Sequence, residues 1–409
     1  MLGEHVSDWG QLITRSADEH RRRGIDVREQ TEVVGIDLAA QRVHWRAGSS
    51  GAEGVEPYDL LAYTTGAHDV RPDLPGLDLG YPVFTPRQAM QLGGRLPPVQ
   101  RALVVGGGYI GLEMVEAMRA RGIATTLITR SAHCLRRTFD PEMATQVESV
   151  IESMQVDFRP ATPLQAIERS SDAVVAHTAR GEIETDIVIL AIGSAPTVEL
   201  AQAAGISLGE TGAVAVDHEQ RTRIDGVFAA GDCAEAWDVV GRRWSNWHLG
   251  TIANKAGRVA GRNVAALSRG DPLERFPGAS GTTIVRLGEF ELARTGLLES
   301  DARAQGFQID TQQVETRQIA GYMPGASPLH AKLIFARDSG RVLGGQIVGQ
   351  RGAGKRIDVV ATAVMYGLTL QQLVDADLAY APPFSPVWDP VQTAARAALQ
   401  DQSRGSGTA

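Results

Sequence analysis

Short apolar runs that end in glycine recur along the chain, and they predict buried strands followed by tight turns. Three such runs are ALVV at 102–105, DIVILAI at 186–192 and VFAA at 227–230, each followed directly by glycine. An Ala- and Met-rich segment follows the first run as far as Arg121 and predicts a helix, and a second apolar run then closes a strand–helix–strand unit. The pattern predicts the α/β class.

Outside this unit the pattern predicts a longer series of elements. Ser16–Glu19 reads as a capping box that opens a helix ending at Gly24. The remaining predicted elements are strands at 25–36, 42–45, 58–63, 156–158, 164–169 and 173–178, a polar turn at 47–54, helices at 141–154 and 254–267, and an alternating hairpin over 213–232. From about Thr282 alternating strands give way to helices at 355–367 and 369–375, which predicts an α+β region beginning near 277.

The first apolar run leads into the chain's clearest chemical motif. Gly106, Gly108 and Gly111 form a G-x-G-x-x-G turn between a predicted strand and a predicted helix. In such a turn the first glycine permits the sharp bend, the second admits a pyrophosphate, and the third allows close helix–strand packing. The turn predicts a dinucleotide site, with ordinary strand–helix packing as the alternative.

The residues after the second strand of this unit indicate which dinucleotide binds. An acid that would bind a ribose hydroxyl is typical there. The chain instead has Thr129 and Arg130, followed by Arg136 and Arg137. Guanidinium groups suit a 2′-phosphate, so the sequence favours NADPH, with NADH also possible. The alternative is a solvated basic loop.

Composition narrows the function classes. The 409 residues are enough for several domains. The net charge of −8 argues against a nucleic-acid partner. Neither a membrane span nor a signal-peptide pattern is present, so we expect a cytoplasmic protein. Only two cysteines occur, and no His/Cys cluster has metal-ligand spacing, so no metal site is predicted.

Two further stretches indicate a second nucleotide-binding fold. Thr65-Gly66-Ala67 follows one predicted strand, much as Gly193-Ser194-Ala195 follows another, so one such fold is predicted to be inserted in the other. The strand ending at Gly231 delivers Asp232 to a position where a carboxylate can bind a ribityl or ribose hydroxyl, unless it serves only as a helix N-cap. His248 is a proton donor or a hydrogen-bonded structural residue.

Six segments, in order, resemble the FAD-dependent pyridine nucleotide–disulfide oxidoreductases, and most closely the coenzyme A disulfide reductases and NADH oxidases. The segments are YDLLAYTTGAHDVRPDLPG at 58–76, GGGYIGLE at 106–113, TRIDGVFAAGDCAE at 222–235, HLGTIANKAGRVAGRN at 248–263, GAGKRIDVVATAVMYG at 352–367 and YAPPFSPVWDPV at 380–391. The resemblance implies two nested Rossmann-like nucleotide-binding domains, for FAD and NAD(P)H, plus an α+β C-terminal dimerisation domain. The expected boundaries are 1–97 and 201–276 for the FAD domain, 98–200 for the NAD(P)H domain, 277–400 for the dimerisation domain, and 401–409 for a disordered tail.

The resemblance also implies roles for individual residues. Tyr109, Ile110 and the catalytic candidate Glu113 would sit beside the nicotinamide, with Gly193 also in the NAD(P)H site. Tyr380 of a partner subunit, the second catalytic candidate, would face the substrate pocket. The residues implied for FAD are Thr65, Gly66, Gly231, Asp232, Leu249, Thr251 and Ala253.

The chain departs from the family at its beginning. The family carries an FAD-binding strand–helix–strand unit and a redox-active cysteine before the capping-box helix, and neither is in this sequence. One interpretation is that the chain starts at an internal methionine, and the other is a natural truncation. Cys134 and Cys233 are both expected to be structural.

The resulting functional prediction is an enzyme that passes hydride from NADPH to FAD and electrons on to a disulfide, a persulfide or O₂. The missing cysteine leaves the thiol step open. The alternatives are a ferredoxin-reductase-like flavoprotein and a catalytically silent NADPH-binding dimer scaffold. A homodimer and a small-molecule electron acceptor are expected as partners.

Overall fold

A computed structural model describes residues 2–3, 8–48, 50–170 and 173–406. The helices are α1 (Ala17–Arg21), α2 (Pro86–Gly93), α3 (Tyr109–Ala120), α4 (Pro141–Ser153), α5 (Glu199–Ala203), α6 (Gly250–Arg269), α7 (Glu299–Ala304), α8 (Ile357–Tyr366), α9 (Leu370–Asp375) and α10 (Pro390–Ser406). Short 3₁₀ turns occupy Trp9–Leu12, Leu77–Leu79 and Gly354–Arg356.

The strands of the first two hundred residues are β1 (Thr31–Asp37), β2 (Arg42–Ala47), β3 (Glu53–Pro57), β4 (Leu61–Tyr63), β5 (Ala67–Asp69), β6 (Tyr81–Pro82), β7 (Arg101–Val105), β8 (Ala124–Ile128), β9 (Asp157–Arg159), β10 (Leu164–Arg169), β11 (Val174–Thr178), β12 (Gly181–Thr185), β13 (Ile187–Leu190) and β14 (Ser194–Pro196). The later strands are β15 (Val227–Ala229), β16 (Ala236–Asp238), β17 (Arg243–Ser245), β18 (Thr283–Leu287), β19 (Phe290–Gly296), β20 (Ile309–Arg317), β21 (Pro328–Ala336) and β22 (Val342–Gln350).

The N-terminal region contains the predicted capping box. The Ser16 hydroxyl accepts a bond from the Glu19 amide at 3.3 Å, and the Glu19 carboxylate accepts one from the Ser16 amide at 2.6 Å. Strand β1 begins at Thr31 and not at residue 25, so the predicted strand was too long at its start. Strand β3 begins at Glu53, inside the predicted turn, and completes a three-stranded antiparallel sheet.

The flavin region, which we define as the segments flanking the inserted domain, meets in two small sheets. Strand β4 pairs in parallel with β15, and β5 pairs antiparallel with β14. These pairings join parts of the chain that are far apart in sequence, and the side chains behind them share one apolar core around Tyr63 and Val227. The chain therefore enters and leaves the inserted domain at adjacent points.

The inserted domain is built on a five-stranded parallel sheet with the order β6-β13-β7-β8-β9. Strands β7 and β13 are buried along almost their whole length, because helices α3 and α4 cover one face of the sheet and the antiparallel strands β10, β11 and β12 cover the other. This confirms the nested Rossmann-like fold. Strand β6 at Tyr81–Pro82 lies before the expected boundary at 98, so the sheet draws on residues outside 98–200.

The predicted hairpin over 213–232 is wrong. Within that stretch only β15 is a strand. The Asp217 carboxylate accepts hydrogen bonds from the amides of Glu219 and Arg221, both at 2.9 Å. Antiparallel pairing in this stretch is limited to one bridge between Arg221 and Phe228, and the bonds to the Asp217 side chain favour a turn before it.

The C-terminal region is an antiparallel sheet with the order β18-β19-β22-β21-β20, packed against α8, α9 and α10. Helix α10 continues to Ser406, so the prediction of a disordered tail is wrong for 401–406, and 407–409 lie outside the described residues. Val285, Leu287 and Val348 of this region belong to the same apolar core as the inserted domain. The two regions therefore pack as neighbours.

A membrane-crossing helix is not found among the described residues, since none of their helices combines the necessary length and apolarity.

Candidate functional site

The glycine turn after β7 is held by contacts that only glycine permits at two of its three positions. Gly106 has φ +114°, and a Cβ there would lie 2.2 Å from the carbonyl oxygen of Ala191. A Cβ on Gly111 would lie 1.8 Å from the carbonyl oxygen of Gly106. Both approaches bring backbone against backbone, so these glycines serve the turn and its packing.

Gly108 differs from the other two glycines of the turn. Its φ is −83°, and a Cβ there would meet no atom within 4 Å. It is the N-cap of α3, and no side chain caps that helix end. The first amides of α3 are therefore left for another acceptor, as at an anion-binding helix N-terminus.

The segment 130–137, which we call the arginine loop, folds back onto the glycine turn. The Leu135 amide donates to the Gly107 carbonyl oxygen at 2.7 Å, and Leu135 itself has φ +50°. Arg130, Arg136 and Arg137 are all exposed, and within the described chain none of their guanidinium groups has a hydrogen bond or ion pair. Three unpaired positive charges thus lie on a loop anchored to the turn.

The start of α3 also contacts the C-terminal region. The Tyr109 hydroxyl lies 2.5 Å from the Thr283 hydroxyl on β18. Burial raises the pKa of Tyr109, so this phenol stays protonated and able to donate. Ile110 is half-buried beside it.

Glu113 lies one turn further along α3. Its surface is exposed, yet partial desolvation, followed by the negative charge of Glu116, raises the pKa of its carboxyl group. A carboxyl group with a raised pKa is suited to proton exchange near neutrality.

In the flavin region, the turn after β15 carries an aspartate with one carboxylate oxygen that lacks a hydrogen-bond partner among the described residues. Gly231 has φ +86°, and the Asp232 carboxylate that follows has a buried Oδ1 without a hydrogen-bond partner among the described residues. Burial raises the pKa of Asp232, and the charge of His248 only partly opposes this. A buried orphan acceptor fits a ligand that brings hydroxyl donors, as the ribityl chain of FAD does.

A chain of polar groups leads from Asp232 to the inserted domain. Asn246 donates to the Asp232 carbonyl oxygen at 3.0 Å, and its Oδ1 lies 2.8 Å from Nε2 of His248. Nδ1 of His248 contacts the Ser194 hydroxyl on β14. Burial lowers the pKa of His248, so the ring is disposed to be neutral and is hydrogen-bonded on both sides.

The other residues assigned to FAD surround this chain of polar groups. Thr65 donates to the Thr197 carbonyl oxygen at 2.7 Å, and Gly66 has φ +71°. Leu249 is the N-cap of α6 and offers no side-chain cap, so the exposed Thr251 lies on an open helix start, with Ala253 beside Gly231. Gly193, the residue assigned to the NAD(P)H site, has φ +119°, and its carbonyl oxygen accepts a bond from the Val70 amide beside the paired strands β5 and β14.

Tyr380 lies apart from these groups, on the C-terminal region. It is about half exposed, and desolvation together with its interaction with Tyr322 raises its pKa. Its predicted role depends on a partner subunit and stays a prediction.

Both thiols in the chain are buried. Cys134 is a buried residue of the arginine loop, and the buried Cys233 thiol lies 3.6 Å from the Tyr63 carbonyl oxygen. Burial raises the pKa of each, so neither is disposed to form a thiolate. This agrees with a structural role for both.

Three residues of the site were not identified as functional from the sequence. Ser194 appeared only as part of a glycine-rich echo, and Thr283 as the start of a strand. Arg294 is buried on β19, where it donates to the Gly281 carbonyl oxygen at 3.1 Å, and its charge is felt at Tyr109. No local signal marks such residues, because their partners lie in other elements.

Comparison with known proteins identifies the family to which this chain is similar. The family model described as pyridine nucleotide-disulphide oxidoreductase matches residues 4–256, and that of its dimerisation domain matches residues 283–390. The NAD(P)H sulfur oxidoreductase (CoA-dependent) of Pyrococcus abyssi is 36% identical over 381 residues, which cover 92% of this chain and 83% of the relative.

Two solved structures are similar throughout. The NAD-dependent persulfide reductase from A. fulgidus aligns with a TM-score of 0.92 and 33% identity, covering 98% of this chain and 75% of that one. An engineered water-forming NADPH oxidase bound to NADPH aligns with a TM-score of 0.93 and 25% identity, covering 99% and 89%. The chain therefore belongs to the pyridine nucleotide–disulfide oxidoreductases, the FAD-dependent enzymes that oxidise NAD(P)H.

Proposed function

We propose that this enzyme oxidises NADPH in preference to NADH and passes the hydride to FAD. The observation that carries the proposal is the arginine loop. Its three guanidinium groups are exposed and unpaired within the described chain, and the loop is bonded to the glycine turn through Leu135 and Gly107. Charge at this place suits a phosphate on the adenine ribose.

The end of β8 supports the same preference. An acid that would bind the two ribose hydroxyls of NADH is typical at this position. Here Thr129 is buried, and its hydroxyl donates to the Ser131 carbonyl oxygen at 2.7 Å. Arg130 follows at the surface, so no carboxylate competes with a phosphate at this point. An engineered relative bound to NADPH supports the view that this fold accepts it.

The chain's own groups have separable tasks in this proposal. The open amides of α3 hold the pyrophosphate, and Tyr109, Ile110 and Glu113 border the nicotinamide. Asp232 accepts hydroxyl donors of FAD, and the uncapped start of α6 faces the isoalloxazine. FAD, when bound, supplies the electron-accepting ring that the polypeptide lacks.

We infer that the acceptor is a small molecule reduced at the flavin. The two thiols in the sequence are buried with raised pKa values, so neither suits a thiol relay. O₂ or a quinone can take electrons from flavin directly, without a thiol. A relative's name, NAD(P)H sulfur oxidoreductase, makes a disulfide or persulfide the acceptor to compare against.

We also propose a homodimer formed through the C-terminal region. A dimerisation-domain match covers residues 283–390. Large apolar side chains are exposed there, including Tyr366 at 80% and Phe384 at 76%. Such a patch supports an interface, and in it Tyr380 would reach the partner's flavin pocket.

Steady-state kinetics of the FAD-loaded protein with NADPH and NADH test the proposal, using dye, O₂, quinone and coenzyme A disulfide as acceptors. Each lost charge-assisted bond is worth about 1.5–3 kcal/mol, so Arg130→Ala is expected to raise KM for NADPH about tenfold. KM for NADH is expected to stay within about twofold, because NADH lacks the phosphate.

Arg180→Ala is the matched control, since Arg180 is exposed on the same domain but lies away from the glycine turn. Equal use of NADPH and NADH by the wild type would contradict the coenzyme preference. NADPH binding without turnover on any acceptor would instead indicate a silent scaffold, and efficient turnover only with a ferredoxin would indicate a ferredoxin reductase.

A further inference from the structure

A buried lysine joins the inserted domain to the C-terminal region. The Lys332 side chain on β21 is 1% exposed, and its ammonium donates to Asp140 Oδ2 at 2.7 Å, to Glu299 Oε1 at 2.5 Å and to Glu142. Asp140 and Glu142 begin α4 in the inserted domain, whereas Glu299 begins α7. With Gln346 these residues form what we call the Lys332 cluster.

Asp140 is the most constrained member of the Lys332 cluster. Its amide donates to Gln346 Oε1 at 2.9 Å, and Gln346 returns a bond from Nε2 to Asp140 Oδ2 at 2.6 Å. Its other oxygen, Oδ1, accepts the Glu299 amide at 3.1 Å. Asp140 is 3% exposed, and both of its bonds with Gln346 are buried. The C-terminal region therefore fixes the backbone at this residue.

The charges explain why the cluster is held tightly. Three carboxylates surround one ammonium, and burial by itself would lower the pKa of Lys332, but the hydrogen bonds to the carboxylates raise it instead. Oxygens of the three acids lie within 4.8 Å of one another, a spacing that suits a metal ion. Lys332 Nζ bonds to all three, however, so the ammonium already occupies the place of the cation.

Position along the chain connects the cluster to coenzyme recognition. The arginine loop is fixed to the glycine turn through Leu135 and Gly107. Its C-terminal end, just after Arg137, runs through buried Phe139 into Asp140. The two arginines nearest that end, Arg136 and Arg137, have no bonds of their own within the described chain. The Phe139 amide also donates to the Leu135 carbonyl oxygen at 2.9 Å, and the Cys134 amide donates to Glu148 at 3.2 Å. The loop thus has several anchors, and the Lys332 cluster is the one that fixes its C-terminal end.

We propose that Lys332 is a positioning residue for the coenzyme: through Asp140 it holds the arginine loop where it meets the 2′-phosphate of NADPH. The inference rests on the proposed NADPH preference and adds a determinant that lies in a different domain from the nucleotide. The C-terminal region thereby takes part in coenzyme selection without touching the coenzyme.

The test is Lys332→Met, which keeps the unbranched side chain apart from its terminal ammonium and removes the charge. The probes are 2′,5′-ADP and 5′-AMP, titrated by calorimetry into the flavin-loaded and the flavin-free chain, together with KM values for NADPH and NADH. The dissociation constant for 2′,5′-ADP and KM for NADPH are each expected to rise about tenfold. The values for 5′-AMP and NADH, and kcat, are expected to change less than about twofold.

Lys355→Met is the matched control, because Lys355 also pairs with an acid, Asp358, but its side chain is 75% exposed. It is expected to leave both titrations unchanged. Lys332→Arg keeps the charge and is expected to restore most of the 2′,5′-ADP affinity. A loss that is equal for 2′,5′-ADP and 5′-AMP, or no loss for either, overturns the proposal.

Removing a buried partner often destabilises strongly, so a milder variant accompanies the first. Glu142→Gln changes the most exposed member of the cluster, and a selective loss of about threefold for 2′,5′-ADP is expected. An equal or absent loss in this variant also overturns the proposal. If wild-type protein binds 2′,5′-ADP no more tightly than 5′-AMP, the proposed NADPH preference itself fails, which is a different outcome.

Discussion

The two nucleotide-binding regions of this chain differ in how far the polypeptide completes them. The inserted domain has a five-stranded parallel sheet, whereas the parallel sheet of the flavin region has two strands among the described residues. In the inserted domain the Gly106 amide is bonded to the Ile128 carbonyl oxygen and the Leu135 amide to that of Gly107. In the flavin region the buried Asp232 Oδ1 has no partner among the described residues.

On the proposed assignments, the chain alone forms the turn that binds the pyrophosphate, whereas Asp232 of the flavin region would gain its hydrogen-bond partner from FAD. A preformed turn binds its nucleotide with little rearrangement, so the free turn is not destabilised by the absence of its ligand. An orphan buried carboxylate costs stability until a donor arrives. Binding of FAD is therefore expected to stabilise its region by mass action, more than NADPH stabilises its own.

The largest expected effect separates binding from folding within the glycine turn. Gly108→Ala is expected to weaken binding of NADPH and NADH alike, since its Cβ would point into the free space proposed for the pyrophosphate. Phosphate bonds of about 1.5–3 kcal/mol each correspond to about ten- to hundredfold weaker binding. The melting temperature should stay within about 1 °C of wild type.

Gly111→Ala is the counterpart, because its Cβ would lie 1.8 Å from the Gly106 carbonyl oxygen. Overpacking of this kind costs about 1–3 kcal/mol, so calorimetry is expected to show a clear drop in melting temperature. If Gly108→Ala also destabilises the protein, the turn is not preformed and the contrast fails.

The next effect concerns the flavin region and has two opposite signs. Asp232→Asn is expected to weaken FAD binding about tenfold or more, because a charged acceptor is lost. In the flavin-free protein the same change is expected to raise the melting temperature by a few degrees, since a buried unpaired charge is removed. Asp225→Asn, at an exposed position nearby, is the control. A fall in both quantities would show that Asp232 is a structural cap.

The smallest effect is a pH dependence that differs in sign between the regions. Burial alone would raise the pKa of Asp186 in the inserted domain, but hydrogen bonds from the amides of Gln100 and Arg101 lower it below 3.8. Its stabilising contribution is present above about pH 3.8 and is lost as the pH falls through the lowered pKa. The pKa of Asp232 is raised, so its destabilising contribution is absent below 3.8 and grows as the pH rises through the raised pKa.

Thermal unfolding of Asp186→Asn and Asp232→Asn, measured without flavin at pH 3–7, checks these signs. Asp186→Asn is expected to lower the melting temperature at pH 7, Asp232→Asn to raise it, and both differences should shrink towards pH 3, with magnitudes of about 2 °C. Parallel behaviour of the two variants would remove the electrostatic part of the comparison.

The sequence predicted the elements whose signals are local. The capping box at Ser16 and the strand–glycine–helix unit depend on neighbouring residues, whereas the nested order of the regions was predicted from two similar strand ends and from the family resemblance. The hairpin over 213–232 is reduced to one bridge between Arg221 and Phe228, because the Asp217 side chain accepts bonds from neighbouring amides. Helix α10 was not predicted. Lys332 and Asp140 are 192 positions apart, and no local sequence pattern near either residue predicts their contact.

Strands β5 and β14 pair where the chain enters and leaves the inserted domain, so this domain is a self-contained insertion, which we call a cassette. Asp69 lies opposite Ser194, so removal of the residues between them leaves two chain ends that are already paired. A short loop would close that gap at little entropic cost, which is the circumstance in which one domain can be gained by another during evolution. The apolar core shared with Val285 and Val348 sets the limit on such exchange, because a transplanted cassette must bring a matching face to the C-terminal sheet.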